Sequence, residues 1–192
     1  LVAAYIEAFG EPDLLIFAEG DCTADVVEVL NRFEDAEKMM LPPAMFAEVS
    51  PVATPTGLLA LVKTPVLTPP LKPQFALLLE SIQDPGNLGG MLRSAAAAGV
   101  EVAYLSEGCA DAWSPKTLRG GQGAHFVLPI AERADLQEVV SGFAGQTLAT
   151  VMDGQPLYSM DLTGPVAFLV GNEGAGLSEA LVNAASHRVA IP

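Results

Sequence analysis

Two glycine-rich turns, each directly behind a run of apolar residues, constrain this chain more than any other feature. The first follows Phe75–Leu79 and runs Asp84-Pro85-Gly86-Asn87-Leu88-Gly89-Gly90; the second follows Val166–Val170 and runs Gly171-Asn172-Glu173-Gly174-Ala175-Gly176. A short continuous apolar run reads as a strand buried on both faces, as in a parallel sheet covered by helices. Turns at the carboxyl ends of such strands, opening helices, put free backbone N–H groups beside a ligand. The first turn is not a dinucleotide fingerprint, since G-x-G-x-x-G is absent, and not a P-loop, since no Gly-Lys-Ser/Thr follows. Its mark is Asn87-x-Gly89-x-x-x-Arg93, within a small-residue helix expected from about Leu88 to Ala98 and stopped by Gly99. With Asn87 as its cap, Gly89 and Gly90 lie one turn before Arg93 and share its face. A guanidinium would then project over a patch without side chains. The same residues also fit an ordinary cap followed by a surface arginine.

Strands and helices alternate on both sides of this stretch. A first unit spans residues 1–63: a helix ending at Phe9, a strand at Leu14–Phe17, a helix at Ala24–Phe33 capped by Thr23, a strand at Lys38–Leu41, a helix at Pro43–Val49, and a strand at Leu58–Val62. It holds no catalytic constellation. Residues 64–73, TPVLTPPLKP, contain four prolines and read as a stiff linker. The second unit, 74–192, continues with a strand at Val102–Leu105 and a helix opened by Ser114-Pro115. Gly120, Gly121 and Gly123 break the pattern before Phe126–Pro129. A helix at Asp135–Phe143, strands at Gln146–Met152 and Val166–Val170, a helix capped by Ser178 and a strand at His187–Ile191 complete it. The expected fold is α/β in two units, the second a mostly parallel sheet with helices on both faces.

Charge narrows the functional classes. A net charge of −14 excludes a broad basic surface for non-specific nucleic-acid binding, so any RNA contact must be a local patch. Cys22 and Cys109 lie in no metal or redox spacing and read as reduced thiols of a cytoplasmic protein; no metal site is expected. No apolar run is long enough to span a membrane. The chain starts at Leu1 with no signal-peptide pattern and reads as trimmed at its start.

Three ordered motifs resemble those of the SpoU (TrmH-like) RNA 2′-O-ribose methyltransferases of the SPOUT superfamily. They are Asn87-x-Gly89-x-x-x-Arg93 within QDPGNLGGMLRSAAAAGV, FLVGNEGAGLSEAL at 168–181, and HRVAIP at 187–192. GGQGAHF at 120–126 is similar to the segment between the first two, and SPVATPTGLLALV at 50–62 to the N-terminal L30e-like substrate-binding domain. In the family the third motif continues beyond Ile-Pro into a Ser-Leu-Asn segment and a helix, expected here beyond Pro192.

The resemblance implies an α/β-knot in residues 74–192, a homodimer, and methyl transfer from S-adenosylmethionine to a ribose 2′-hydroxyl of structured ribosomal or transfer RNA. No membrane or DNA partner is expected. It implies catalytic roles for Arg93, Asn87 and Glu173, with Glu173 organising its loop or a neighbouring subunit's arginine; a bland alternative is that Glu173 caps the helix that follows. Cofactor contacts fall on Gly171, Ile191, Thr150, Val151, Met152, Val170 and Asn172. In-line displacement needs reacting atoms held about 3–3.5 Å apart. Because a guanidinium rarely deprotonates, Arg93 suits orientation of the hydroxyl, a grip on the adjacent phosphate and stabilisation of a developing alkoxide better than it suits a base. Lys116, Arg119, Arg93 and His125 are the RNA-contact candidates, although His125 also reads as a loop histidine packed by Phe126. Trp113 could stack on a base or simply pack, and His187 reads as structural or exposed. A non-catalytic RNA-binding protein that keeps the fold is the rival reading, and a nucleotide-binding enzyme acting on small molecules a third.

Overall fold

The computed structural model describes residues 1–20, 22–33, 36–52 and 54–191. Ala53 and Pro192, which belong to two of the quoted motifs, lie outside the described residues. Two compact units divide between Pro65 and Val66.

The first unit orders α1 (Val2–Phe9), β1 (Leu14–Ala18), α2 (Ala24–Arg32), β2 (Lys38–Leu41), α3 (Pro43–Val49) and β3 (Leu58–Leu61). β1 lies central, parallel to β2 and antiparallel to β3. Leu15 on β1 and Ile6, Val26 and Phe46, one from each helix, form its buried centre. Pro43 opens α3 at a position where a missing N–H costs nothing.

The second unit holds β4 (Phe75–Leu79), α4 (Pro85–Ala97), β5 (Val102–Leu105), α5 (Pro115–Gly121), β6 (Ile130–Ala131), α6 (Leu136–Gly142), β7 (Gln146–Pro156), β8 (Val166–Val170), α7 (Glu179–Ala184) and β9 (His187–Ala190). Their order is β6-β5-β4-β8-β7-β9, and every pairing is parallel. Side chains of β4 alternate between the faces. Leu79 packs with Leu88, Leu92 and Ala95 of α4, whereas Ala76 and Leu78 pack with Leu136 and Val140 of α6 and Leu181 of α7. Burial on both sides is why this strand is apolar without interruption.

The direction in which successive strands are added across the sheet reverses between β4 and β8. From β4 the chain crosses through α4 to β5 on one face; from β8 it crosses through α7 to β9 on the other. Adjacent strands whose connections diverge to opposite faces leave a crevice at their carboxyl ends. Both glycine turns sit there.

Several boundaries differ from the sequence reading. α4 starts at Pro85, and its cap is Asp84, whose carboxylate accepts from the Asn87 N–H at 2.9 Å; Asn87 lies inside the first turn. An acceptor two residues before a glycine and ahead of a proline at the first helical position makes the better cap. After the glycines at 120–123, to whose far side the sequence assigns no element, a 3-10 turn at Ala124–Phe126 precedes β6, which begins at Ile130. β7 extends to Pro156 through a bulge, with Thr150 and Gln155 both registered against Val189. Residues 151–154 therefore leave the ladder, a feature that alternation of apolar residues does not encode.

Candidate active site

Glu173, in the turn after β8, reaches across to the turn after β4. Its carboxylate accepts from the backbone N–H groups of Gln83 at 3.3 Å and Asp84 at 3.2 Å, and from the Asn87 side-chain amide at 3.1 Å. Glu173 therefore binds the approach to α4 and does not cap the helix that follows it; α7 takes its cap from Ser178. Its own backbone N–H, then the Asn87 amide, hold the Glu173 carboxyl below the usual carboxylate range.

Two more bonds join the same turns. The Asn172 amide donates to the Ser81 carbonyl at 2.8 Å, and its oxygen accepts from the N–H groups of Gly174 and Ala175, both at 2.9 Å. Glu80 accepts from the Ser178 N–H at 2.7 Å. The second turn is closed by a bridge between Asn172 and Gly176. Gly171 allows that closure, because a Cβ there would overlap the backbone of Gly176 and Leu177.

Asp84 adds a link to α5. Its second carboxylate oxygen pairs with Lys116 Nζ at 2.9 Å, and this lysine, then the Asn87 N–H, lowers its pKa. Gly89 is buried against α5: a Cβ would lie 2.8 Å from Gly120 Cα and from Gly121 N, and closer still to the Thr117 carbonyl. Gly90 faces open space. The side-chain-free patch expected beside Arg93 is thus half helix contact and half open surface.

Asn87 and Glu173 form one bonded group with Asp84 and Lys116, two residues that reading the motifs alone did not tie to it, while Asn172 joins the two turns separately through Ser81. Arg93 lies six residues beyond Asn87, about 9 Å along the helix. It is exposed and its guanidinium has no hydrogen bond or ion pair among the described residues, and the same is true of the Arg119 guanidinium on α5. His125 corrects the sequence reading. It is 1% exposed, bonds through Nε2 to the Ala112 carbonyl at 2.7 Å and packs edge-on to Trp113 at 5.3 Å. Burial lowers its pKa, so it offers neither a surface nor a charge to phosphate. Trp113 packs against the core around Leu88 and Leu105.

The remaining candidates lie further along the same sheet. Val170 ends β8, with its carbonyl accepting from the Glu80 N–H at 2.9 Å. The Thr150 hydroxyl donates to the Leu169 carbonyl at 2.8 Å. Met152 is fully exposed in the bulge with Val151 half-buried beside it, and Ile191, 65% exposed, follows β9. Asp153 pairs with Arg188 of β9 at 2.8 Å. Among the described residues no group of His, Cys, Asp and Glu could hold a metal ion, and no helix is long and apolar enough to cross a membrane.

A parallel sheet covered on both faces, with a switch-point crevice built from two cross-linked glycine turns, defines a doubly wound α/β protein with its ligand site at the carboxyl ends of β4 and β8. Residues 74–192 match the SpoU rRNA Methylase family, and the chain belongs to that family. It is 37% identical over 154 residues to an uncharacterized tRNA/rRNA methyltransferase of Synechocystis sp., covering 77% of this chain and 56% of the relative. It is 38% identical over 120 residues to the 23S rRNA (guanosine(2553)-2′-O)-methyltransferase RlmP of Bacillus subtilis, covering 60% of this chain and 48% of that protein. The chain thus spans about half the length of these relatives. The SpoU methyltransferase AviRb from Streptomyces viridochromogenes superposes with a TM-score of 0.84 at 25% identity, over 100% of this chain and 76% of AviRb. AviRb has also been solved in complex with the cofactor AdoMet.

Proposed function

We propose that this protein transfers a methyl group from S-adenosylmethionine to a ribose 2′-hydroxyl of structured ribosomal or transfer RNA, as a homodimer in the cytoplasm. The observation that carries the reading is the Asn87–Glu173 bond, which joins the first and second motifs at the switch point. Family membership and the AdoMet-bound AviRb support the choice of donor.

The residues present fit that donor. Residues 151–154 leave the ladder with β9, so their backbone groups are not committed to pairing there, and Met152 and Ile191 offer exposed apolar side chains to a nucleoside base. Thr150, Val151, Met152, Gly171, Asn172, Val170 and Ile191 would hold the molecule. The knot implied by the motifs would bring the chain's tail to the same place. When bound, the donor supplies a methyl group activated on a sulfonium sulfur.

This chain's own residues would do the rest. Glu173, kept ionised by its hydrogen bonds, fixes the approach to α4 and the orientation of Asn87. With its NH2 group committed to Glu173, Asn87 has its amide oxygen left to accept a bond. Arg93, whose guanidinium is unpaired among the described residues, would grip the phosphate next to the target ribose and stabilise negative charge as the 2′-oxygen attacks. Arg119 on the neighbouring helix would take a further phosphate. Lys116 is engaged by Asp84 and would join only after exchanging partners. The unit at 1–63, joined by the linker at 64–73, would serve as the substrate platform. Residues 1–65 carry three Lys/Arg against eleven Asp/Glu, so its contacts would be other than phosphate neutralisation.

Incubation of the protein with labelled donor and total RNA, followed by mapping of the modified ribose, tests the reading. The wild type should label one ribose position and Arg93→Ala should not, while both bind donor by calorimetry. RNA binding without donor binding would favour the rival, an RNA-binding protein that keeps only the fold.

A further inference from the structure

Arg133 occupies a backbone conformation that its side chain disfavours. It lies two residues after β6, at φ 54°, in the left-handed region that glycine and asparagine enter readily and longer side chains do not. Two other non-glycine residues among those described share this conformation, and each shows its use within the fold. Ser81 donates its N–H to Ser106 Oγ at 2.9 Å and receives the Asn172 amide on its carbonyl. Gln122 caps α5 and bonds its side chain to the Arg119 carbonyl at 2.7 Å. Arg133 is exposed, and its guanidinium has no hydrogen bond or ion pair among the described residues.

The turn itself is well anchored. The Ala134 N–H donates to the Leu105 carbonyl at 2.9 Å, so the left-handed residue is a requirement of the route from β6 into α6. The acidic neighbours are occupied: Glu132 accepts from the Ala112 N–H at 3.4 Å, and Asp135 accepts from the N–H groups of Gln137 at 3.0 Å and Glu138 at 3.2 Å. A glycine or asparagine would make this turn without strain, so the arginine contributes nothing visible to the fold.

Position gives the side chain a use. All six strands run parallel, so their carboxyl ends share one rim, and Arg133 follows the end of β6, two strands from β4. At about 4.8 Å per strand the turn holding Arg133 begins roughly 10 Å along the rim from the Asp84–Asn87 turn. Cations are scarce in this unit: from Val66 onward six Lys/Arg face twelve Asp/Glu, and Lys116 and Arg188 are in ion pairs. An unpaired arginine at the rim is thus one of few groups that could meet a phosphate. We propose that Arg133 contacts a phosphate of the RNA substrate, extending the bound strand along the rim away from the reacting ribose. The inference rests on the reading of the chain as an RNA methyltransferase.

Arg133→Gly and Arg133→Asn keep the left-handed turn and remove the charge; Arg133→Lys keeps the charge. Binding of deproteinised 23S rRNA and of a short labelled uridine oligoribonucleotide would be titrated across a salt series, with thermal melting and donor calorimetry alongside. The glycine and asparagine variants should melt no lower than wild type and bind donor equally. They should bind RNA about 3- to 10-fold more weakly, with the slope of log affinity against log salt reduced by about 0.7, one single-strand phosphate contact. The lysine variant should retain most of the affinity. Wild-type affinity and slope in the glycine variant would overturn the assignment alone, as would a fall in melting temperature that tracks the loss of RNA. A wild type that binds donor but neither RNA at any salt would overturn the substrate reading and the assignment together.

Discussion

The Asn87 side-chain amide and the Glu173 carboxylate meet at 3.1 Å across 86 positions of sequence, and the same carboxylate takes the N–H groups of Gln83 and Asp84. One side chain thus holds the entry to α4 against the turn after β8. Glu173→Gln can still accept through its amide oxygen, but its NH2 group would face N–H donors. Hydrogen exchange at the Gln83 and Asp84 amides should accelerate. Methyl transfer should fall about 10- to 100-fold, the scale of a catalytic group displaced by about an ångström.

The same contacts predict an acid limit. Glu173 and Asp84 both titrate below their ordinary values in the folded protein, so their ionised forms favour the fold. Their contribution is complete above about pH 4.5, the upper end of the unfolded carboxylate range, and is lost as pH falls through the lower folded values. Melting temperature against pH should stay level with respect to these groups above that point and drop below it. The drop should be shallower in Glu173→Gln than in wild type.

His125 titrates in a higher window. Burial lowers its pKa, opposed in part by its bond to the Ala112 carbonyl, so the unfolded chain binds a proton that the folded one resists. Stability should therefore decline as pH falls from about 6.5 toward the folded value. His125→Leu, of similar bulk, should remove that decline and leave RNA affinity and its salt dependence at wild-type values. Affinity that rose below pH 6.5 in wild type and not in the variant would restore the imidazole to the RNA surface.

The order of elements and both glycine turns were legible because burial on both faces forces uninterrupted apolar strands, and Phe75–Leu79 and Val166–Val170 carry that mark. Asp84 was missed as the cap because Asn87 is an equally good acceptor by residue type, and only backbone geometry chooses between them. The bulge at 151–154 is not legible because Asp153-Gly154 reads as the end of the strand, and only the register of the partner strand carries β7 on to Pro156. For His125 the sequence leaves a phosphate contact and a packed loop histidine both open, and burial decides for packing. Its burial comes from Trp113 and the Ala112 carbonyl, contacts set by tertiary packing.

Gly89 and Gly90 are adjacent in sequence and should respond oppositely to alanine. At Gly89 the added carbon would meet the backbone of α5, which cannot yield without parting the helices, at a cost of about 1–3 kcal/mol. At Gly90 it meets nothing, and alanine in a helix interior should stabilise by about 0.5–1 kcal/mol. Chemical denaturation of the two variants measures both signs. Equal responses would mean that α4 and α5 do not pack as described.

Two features hold residues 151–154 beside β9, and they differ in strength. Arg188 donates from one nitrogen, Nη2, to both carboxylate oxygens of Asp153, but both side chains are largely exposed, and such pairs contribute about 0–1 kcal/mol. Gly154 lies directly on the β9 backbone, where a Cβ would come within 2.6 Å of Val189 N and Cα. A backbone contact cannot relax as a side-chain tip can, so Gly154→Ala should displace the bulge and cost about 1–3 kcal/mol. Arg188→Ala should shift stability by no more than about 1 kcal/mol. Because the bulge carries Met152 and follows Thr150, donor affinity by calorimetry should follow the same order, weakened clearly in Gly154→Ala and little in Arg188→Ala. The reverse order would make the ion pair, and not the close backbone crossing, the element that shapes this part of the pocket.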